Sequence, residues 1–203
     1  MKILLKKATL INDKSVFHNK KVDILIDDGL LSKIDNNIDV KADQLINLEE
    51  LYVSSGWFDP NISFGEPGFE ERETLENGLL TAAKSGFTHI LLNPNTNPET
   101  STLADVNHLI KSTISQTTKL HVSAVLSEKN YGNKMASLYD MHKAGAKAFG
   151  NFNETIINPN ELKIALDYLQ TFGGIVQSYP IDKKLCENGQ IHEGEISVKL
   201  GLK

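Results

Sequence analysis

From Leu51 to the end of the chain, short apolar runs alternate with amphipathic runs, and this alternation constrains the fold more than any other feature. Phe87–Leu92, Leu120–Leu126 and Ala146–Phe149 are too short for helices and read as strands. A further short strand is expected from Tyr52-Val53 to Trp57-Phe58, ending at Asp59-Pro60, and a fifth opens at Ile175-Val176. Between them lie helical patterns. Leu75, Leu79, Leu80 and Ala83 share one face, with Gly86 as a C-terminal glycine. Leu103, Val106, Leu109, Ile110 and Thr113 do the same over Thr102–Ser115, where Thr102 and Asp105 form a capping pair. A third helix is expected over Met135–Ala144, stopped by Gly145. A fourth starts at Asn158, with Pro159 in its first turn and Glu161 three residues after the cap, and stops at Gly173-Gly174. Strands alternating with helices imply parallel βαβ units. An open doubly wound sheet and an incomplete (β/α) barrel both fit, because four full units and part of a fifth fall short of a closed barrel's eight.

The first 51 residues follow a different rule. Lys2–Leu10, Val22–Ile26 and Leu30–Ile34 read as strands without helical period, and Asp27-Asp28-Gly29 is a hairpin turn signal. A small β layer over residues 1–51 is therefore expected ahead of an α/β region over 52–203.

The 203 residues carry a net charge of −5 with 40% hydrophobic residues, a globular composition with no basic field for nucleic acid. The apolar start of MKILLKK is shorter than a secretory signal, and no run approaches a membrane span. Cys186 stands alone, which excludes an internal disulfide framework, and it reads as a small hydrophobe. A soluble, cytoplasmic protein is the expectation. No nucleophile elbow, phosphate-binding glycine loop or Cys-x-x-Cys is present.

In either α/β architecture, chemistry belongs on loops after the carboxyl ends of strands. Those loops hold Asp59–Gly68, Asn93–Pro98, Gly150–Asn153 and Ser178–Asp182. Asp59 before Pro60 reads as a turn former, and Asn95-Thr96-Asn97-Pro98 reads either as a structural turn or as an amide-lined anion contact. Glu70, Glu71 and Glu73 beside Arg72 read as a solvated helix start. The six histidines show no pairing at i, i+2 or i, i+4 and none lies on a strand-end loop, so no zinc site is expected from them.

Here the residues resemble a known family. GWFDPNISFGEPGFEERETLENGLLTAAKSGFTHILLNPNTNPET resembles the opening barrel segment of dihydroorotases, members of the amidohydrolase superfamily. That family reads Gly-Phe-Ile-Asp-x-His-x-His-x-Arg-Glu-Pro-Gly, a helix, then Pro-Asn-Thr-Asn-Pro. AGAKAF resembles the family's Gly-Ala-x-Ala-Phe, NGQIHEGEISVKLGLK its Asn-Glu-Gly-x-x-Ser-x-x-Leu-Gly-Leu, and DGLLSKI its N-terminal turn. The resemblance implies the N-terminal half of a (β/α)8 TIM-type barrel preceded by part of a β-sandwich, with residue 203 near mid-barrel.

The resemblance also implies a zinc hydrolase acting on the cyclic amide of dihydroorotate, and here the pattern departs. The two histidines of His-x-His correspond to Asn61 and Ser63, and the bridging aspartate to Asn151. The next histidine corresponds to Tyr179, the Glu two residues on to Ile181, and the substrate-carboxylate arginine to Gly65. Amide and hydroxyl oxygens are poor zinc ligands. Of the family's substrate contacts Asn95 is retained; no catalytic or metal residue is assigned, and no cofactor is expected. Two readings follow. One is a non-catalytic dihydroorotase-like protein with a structural or regulatory role, alongside aspartate carbamoyltransferase or in self-association. The other is a fragment of an active zinc enzyme completed by another chain.

Overall fold

The computed structural model describes residues 1–128, 134–156, 158–182, 186 and 189–202. Asn188 and Lys203, the ends of the C-terminal motif, lie outside the described residues. The chain divides into two compact units, Met1–Gly56 and Trp57–Lys203.

The first unit is a five-stranded sheet. β1 (Lys2–Ile11) pairs antiparallel with β2 (Lys21–Asp27), which pairs antiparallel with β3 (Leu30–Asp35). β4 (Gln44–Ile46) and β5 (Tyr52–Ser54) both run parallel to β1. The β2–β3 turn places Asp28 at φ 49° and Gly29 at φ 79°, the left-handed pair that matches the twist of a tight hairpin. Ala8, Leu10, Val22 and Ile24 form a buried cluster on one face. A register shift between Leu5 and Ala8, with Lys7 at φ 53°, turns two consecutive β1 residues toward Asp23. Asp23 is buried, accepts the N–H groups of Lys7 and Ile38 at 3.0 and 2.9 Å, and is ion-paired with Lys6.

The strand expected to run from Tyr52 to Phe58 is two strands. Tyr52–Ser54 joins the β layer in register with Thr9–Ile11, and a new strand, β6 (Trp57–Ile62), opens the second unit. Ser55-Gly56 separates them, a break that a continuous apolar reading passes over.

In the second unit, β6, β7 (Phe87–Leu92), β8 (Lys119–Ala124), β9 (Ala148–Phe149) and β10 (Ile175–Val176) form one parallel sheet in the spatial order β10-β9-β8-β7-β6. The order follows the sequence without reversal. A doubly wound sheet would have a switch point, so the winding is that of a barrel, which the periodicity alone left open. The sheet curls far enough that Gln177, immediately after β10, donates from Nε2 to the Pro60 carbonyl oxygen of β6 at 3.1 Å. The architecture is α/β, the first half of a barrel.

The helices are α1 (Leu75–Lys84), α2 (Leu103–Ser112), α3 (Leu138–Ala144), α4 (Pro159–Gln170) and α5 (Glu195–Leu200). Thr74 caps α1, Thr102 and Asp105 close a capping box on α2, and Asn158 caps α4 with Pro159 in the first turn. Gly145 ends α3 at φ 115°. Leu79, Val106, Leu109, Met141, Ala165 and Leu169 pack with Ile90, Leu92, Val122 and Phe149 of the strands into the main core. Three local expectations shift. Met135 forms a bridge with Ser127, and the helix starts three residues later, at Leu138. Glu70, Glu71 and Glu73 precede the Thr74 cap instead of opening the helix. Cys186 is exposed and is not a core residue. Among the described residues, no helix is long and apolar enough to cross a membrane.

Candidate functional site

A cavity of about 340 Å³ lies at the carboxyl ends of the parallel strands. It is lined by Asn61 of β6, Asn93 and Pro94 after β7, Gly150–Asn153 after β9, and Gln177–Tyr179 after β10. No lining residue is charged.

The β6 end is organised by Asn93, which is 4% exposed. Its backbone N–H donates to the Ile62 carbonyl at 2.9 Å. Its Nδ2 donates to Asn61 Oδ1 at 2.7 Å and to Ser63 Oγ at 3.3 Å. One buried amide thus knits together Asn61 and Ser63, the two residues that the resemblance sets opposite the family's His-x-His. Asp59 Oδ1 accepts the Asn61 N–H at 3.0 Å, the two-residue turn chemistry of an aspartate ahead of proline.

Asn151 is also 4% exposed, and its side chain is committed elsewhere. Oδ1 accepts the N–H groups of Leu126 and Ser127, both at 3.1 Å, and Nδ2 donates to Ser127 Oγ at 2.9 Å. These bonds fix the backbone beyond β8. Tyr179 lines the cavity and is 40% exposed. Thr155 Oγ1 donates to the Ile181 carbonyl beneath it. Gln177 is a strut: Oε1 accepts from Ser123 Oγ at 2.5 Å while Nε2 holds Pro60.

Asn95 does not line the cavity; it is half-buried, and its Oδ1 is buried without a hydrogen-bond partner among the described residues. Its loop packs on the Glu66-Pro67-Gly68 segment. The Asn97 N–H donates to the Pro67 carbonyl at 2.9 Å, and a Cβ on Gly68, at φ 95°, would stand 2.1 Å from the Asn97 carbonyl oxygen. Glu66 Oε2 accepts the Leu75 N–H at 2.7 Å and so caps α1. Two motifs kept from the family pattern therefore hold each other and a helix start in place. Asn93 escaped the sequence reading; its only signal there is its position as the first loop residue after a strand.

The donor set does not suit zinc. Asn61 and Ser63 offer amide and hydroxyl groups already joined by Asn93, and both Asn151 side-chain atoms are bound within the protein. Among the described residues, no group of three or more His, Cys, Asp or Glu side chains could hold a metal ion.

Two histidines that no sequence spacing pairs meet across adjacent strands. His89 Nδ1 and His121 Nε2 lie 2.9 Å apart, with the rings stacked at 12° and 5.2 Å between centroids. They belong to adjacent strands, with His89 opposite Lys119 and Leu91 opposite His121. Phe58 meets His121 edge-on at 6.2 Å. Burial, then His89, Lys119 and Lys147, hold the His121 imidazole below the usual histidine range. Two imidazoles are fewer than the three protein ligands of a zinc site.

Residues 53–203 match the family described as Dihydro-orotase-like. Over 203 residues the chain is 30% identical to the dihydroorotase of Pelotomaculum thermopropionicum, covering 100% of this chain and 47% of that protein. It is likewise 30% identical to the dihydroorotase of Aquifex aeolicus, covering 100% and 48%. The chain thus spans about half the length of the curated relatives it matches. Among solved structures, the L-hydantoinase (dihydropyrimidinase) of Arthrobacter aurescens superposes with a TM-score of 0.70 at 21% identity, covering 86% of this chain and 39% of its own. A dihydroorotase crystal structure superposes at 0.56 and 12% identity, covering 86% and 50%. At those identities the likeness is one of fold, and it agrees with the half-barrel winding. The chain belongs to the dihydroorotase-like family.

Proposed function

We propose that this protein is a non-catalytic member of its family that serves pyrimidine biosynthesis through a structural or regulatory role in the cytoplasm. The observation that carries the reading is the state of Asn151: both atoms of its amide are spent on Leu126 and Ser127, where a metal-bridging residue needs free oxygen lone pairs. Asn61 and Ser63 add no charge, and Tyr179 adds a phenol in place of an imidazole. A zinc-activated water requires ligands that leave one position open, and among the described residues no group of three or more His, Cys, Asp or Glu side chains could supply them. The single cysteine supports the reducing compartment.

The partner in this reading is aspartate carbamoyltransferase or a second copy of the chain. Its support is physical: β6 and β10 are the edges of the parallel sheet, and they expose Trp57 at 58%, Phe58 at 53% and Ile175 at 60%. A competing reading is an active zinc hydrolase of dihydroorotate completed by another polypeptide, which the half-length match to the relatives favours.

Metal analysis of the purified chain, run with a dihydroorotate hydrolysis assay in added zinc, separates the two. The non-catalytic reading expects sub-stoichiometric metal and background turnover. Stoichiometric zinc, or turnover above background, overturns it. Sedimentation of the chain alone and with purified aspartate carbamoyltransferase then tests the partner.

A further inference from the structure

We infer that the inner face of the half-barrel carries an anion site toward the amino ends of β7 and β8. His89, Lys119, His121 and Lys147 build it, and its ligand is a small dianionic oxyanion of the phosphate class, bound with uptake of a proton. The site is separate from the strand-end cavity: His89 stands four residues before Asn93, roughly 13 Å away at the rise of a strand.

Register brings these groups together. Ser123 bonds Gln177, which reaches Pro60 across the curl, so the face of β8 that carries Ser123 is the inner one. Side chains alternate along a strand, so Lys119 and His121 share that face, while Leu120, Val122 and Ala124 pack into the main core. His89 lies opposite Lys119 and bonds His121 across the strand pair. The Lys147 N–H donates to the carbonyl of Val122, the neighbour of His121, at 2.9 Å, which brings a second lysine beside the pair. From β6, Phe58 meets His121 edge-on, whereas Asp59 lines a groove against α1 on the other face.

The charge here has no counter-ion. His89, Lys119 and Lys147 are exposed and His121 is half-buried. Among the described residues neither lysine is in an ion pair. The groups that act on the His121 imidazole are His89, Lys119 and Lys147, with no carboxylate among them. A chain of net charge −5 thus gathers two ammonium groups and two imidazoles in one place. They repel one another when charged, and a doubly negative ligand turns that repulsion into attraction.

The histidine pair supplies the proton site. In the neutral pair one imidazole donates along the 2.9 Å bond and the other accepts. Of the two outer nitrogens, His89 Nε2 and His121 Nδ1, one then carries a proton and the other a lone pair. A bound anion favours protonation of that lone pair, so by linkage affinity rises as the pH falls.

Sulfate keeps two charges throughout the neutral range and is the first probe. Calorimetric titration of the full chain, at ionic strength held constant with sodium chloride, should show saturable millimolar binding. It should be at least about threefold tighter near pH 6 than near pH 8, and should move the His89 and His121 ring C–H signals together. Lys119→Gln should weaken binding about fivefold or more, and Lys119→Arg should restore it. His121→Gln should remove the pH dependence. Inorganic phosphate and phenyl phosphate separate the sources: equal affinity assigns free phosphate, and tighter phenyl phosphate assigns a phosphorylated aromatic compound seated on Phe58. Binding no better than chloride, an affinity that ignores pH, or shifts confined to the strand-end cavity overturns the inference. So does a glutamate-rich peptide that binds the same histidines more tightly than sulfate, which would give this face to an acidic polypeptide.

Discussion

Gln177 and Pro60, 117 residues apart, are joined by a 3.1 Å hydrogen bond from the Gln177 Nε2 to the Pro60 carbonyl. The contact bridges the two edge strands, β6 and β10, of the five-stranded parallel sheet, and among the described residues no further strand pairs with either edge. Proline has no N–H to offer a neighbouring strand, so an edge position suits it, and its carbonyl is free to accept a side chain. The other end of the strut, Gln177 Oε1, takes the hydroxyl of the fully buried Ser123 at 2.5 Å. One amide therefore sets the curl at the mouth of the cavity.

Gln177→Ala should cost about 1–3 kcal/mol, because Ser123 Oγ is left buried without its acceptor while the Pro60 carbonyl can turn to water. Gln177→Glu keeps an acceptor for Ser123 but opposes a carboxylate to a carbonyl, and should lose the edge contact alone. Urea unfolding checks both. An unchanged midpoint for the alanine variant would show that the curl is held by the strands without the strut.

Most of the architecture was legible along the chain because its causes are local. Thr102 with Asp105 and Asn158 with Pro159 mark helix starts through bonds made within one turn, and the 2-versus-3.6 periodicity separates strands from helices. What was hidden depends on register and curl. His89 and His121 meet only because Leu91 pairs with His121 on the adjacent strand, a one-residue choice that no spacing along the chain encodes. Asn93 was hidden for a related reason: its importance lies in reaching across from β7 to the end of β6. The resemblance drew attention to Asn61, Ser63 and Asn151 along the chain, but the commitment of Asn151 to the Leu126–Ser127 backbone was not legible there.

That commitment predicts the outcome of restoring a carboxylate. Asn151→Asp returns a charge to the site but must give up the Nδ2 donor, and Ser127 must then rotate its hydroxyl to donate. The carboxylate oxygens remain drawn to the N–H groups of Leu126 and Ser127, so zinc affinity should stay at background in equilibrium dialysis. Asn151→Ala leaves those two buried N–H groups unpaired and should destabilise the second unit by about 2–4 kcal/mol, read by chemical denaturation. Zinc binding by the aspartate variant at one ion per chain would contradict the structural role.

The histidine pair predicts a pH dependence with a definite sign. Burial, with the nearby His89, Lys119 and Lys147, lowers the folded-state pKa of His121. In the unfolded chain the imidazole titrates near 6.5, so as the pH falls below about 6.5 the unfolded state takes up the proton first. Stability is full above that value and declines as the pH falls toward the lowered folded value. His121→Gln should flatten the slope between about pH 7 and pH 5 in urea unfolding, and Lys119→Gln should shallow it. A variant that keeps the full slope would move the titrating group elsewhere.

In the first unit, Asp23 predicts the opposite end of the pH scale. Burial acts to raise its pKa, but the Lys6 ion pair and the N–H groups of Lys7 and Ile38 outweigh it and hold the carboxyl below the usual range. An unfolded aspartate titrates near 3.9, so the stabilisation is present above about pH 4 and is lost as the pH falls through the lower folded value. Asp23→Asn removes the charge that faces the Lys6 ammonium and cannot accept from all three donors, which should cost about 2–4 kcal/mol. Lys6→Met leaves the buried carboxylate with only its backbone donors and should cost a similar amount. The double variant should be less damaging than the sum of the two, because neither leaves the other's charge behind. Thermal unfolding of the three variants at neutral and acid pH measures that coupling; strict additivity would show that Lys6 and Asp23 act independently in this bulge.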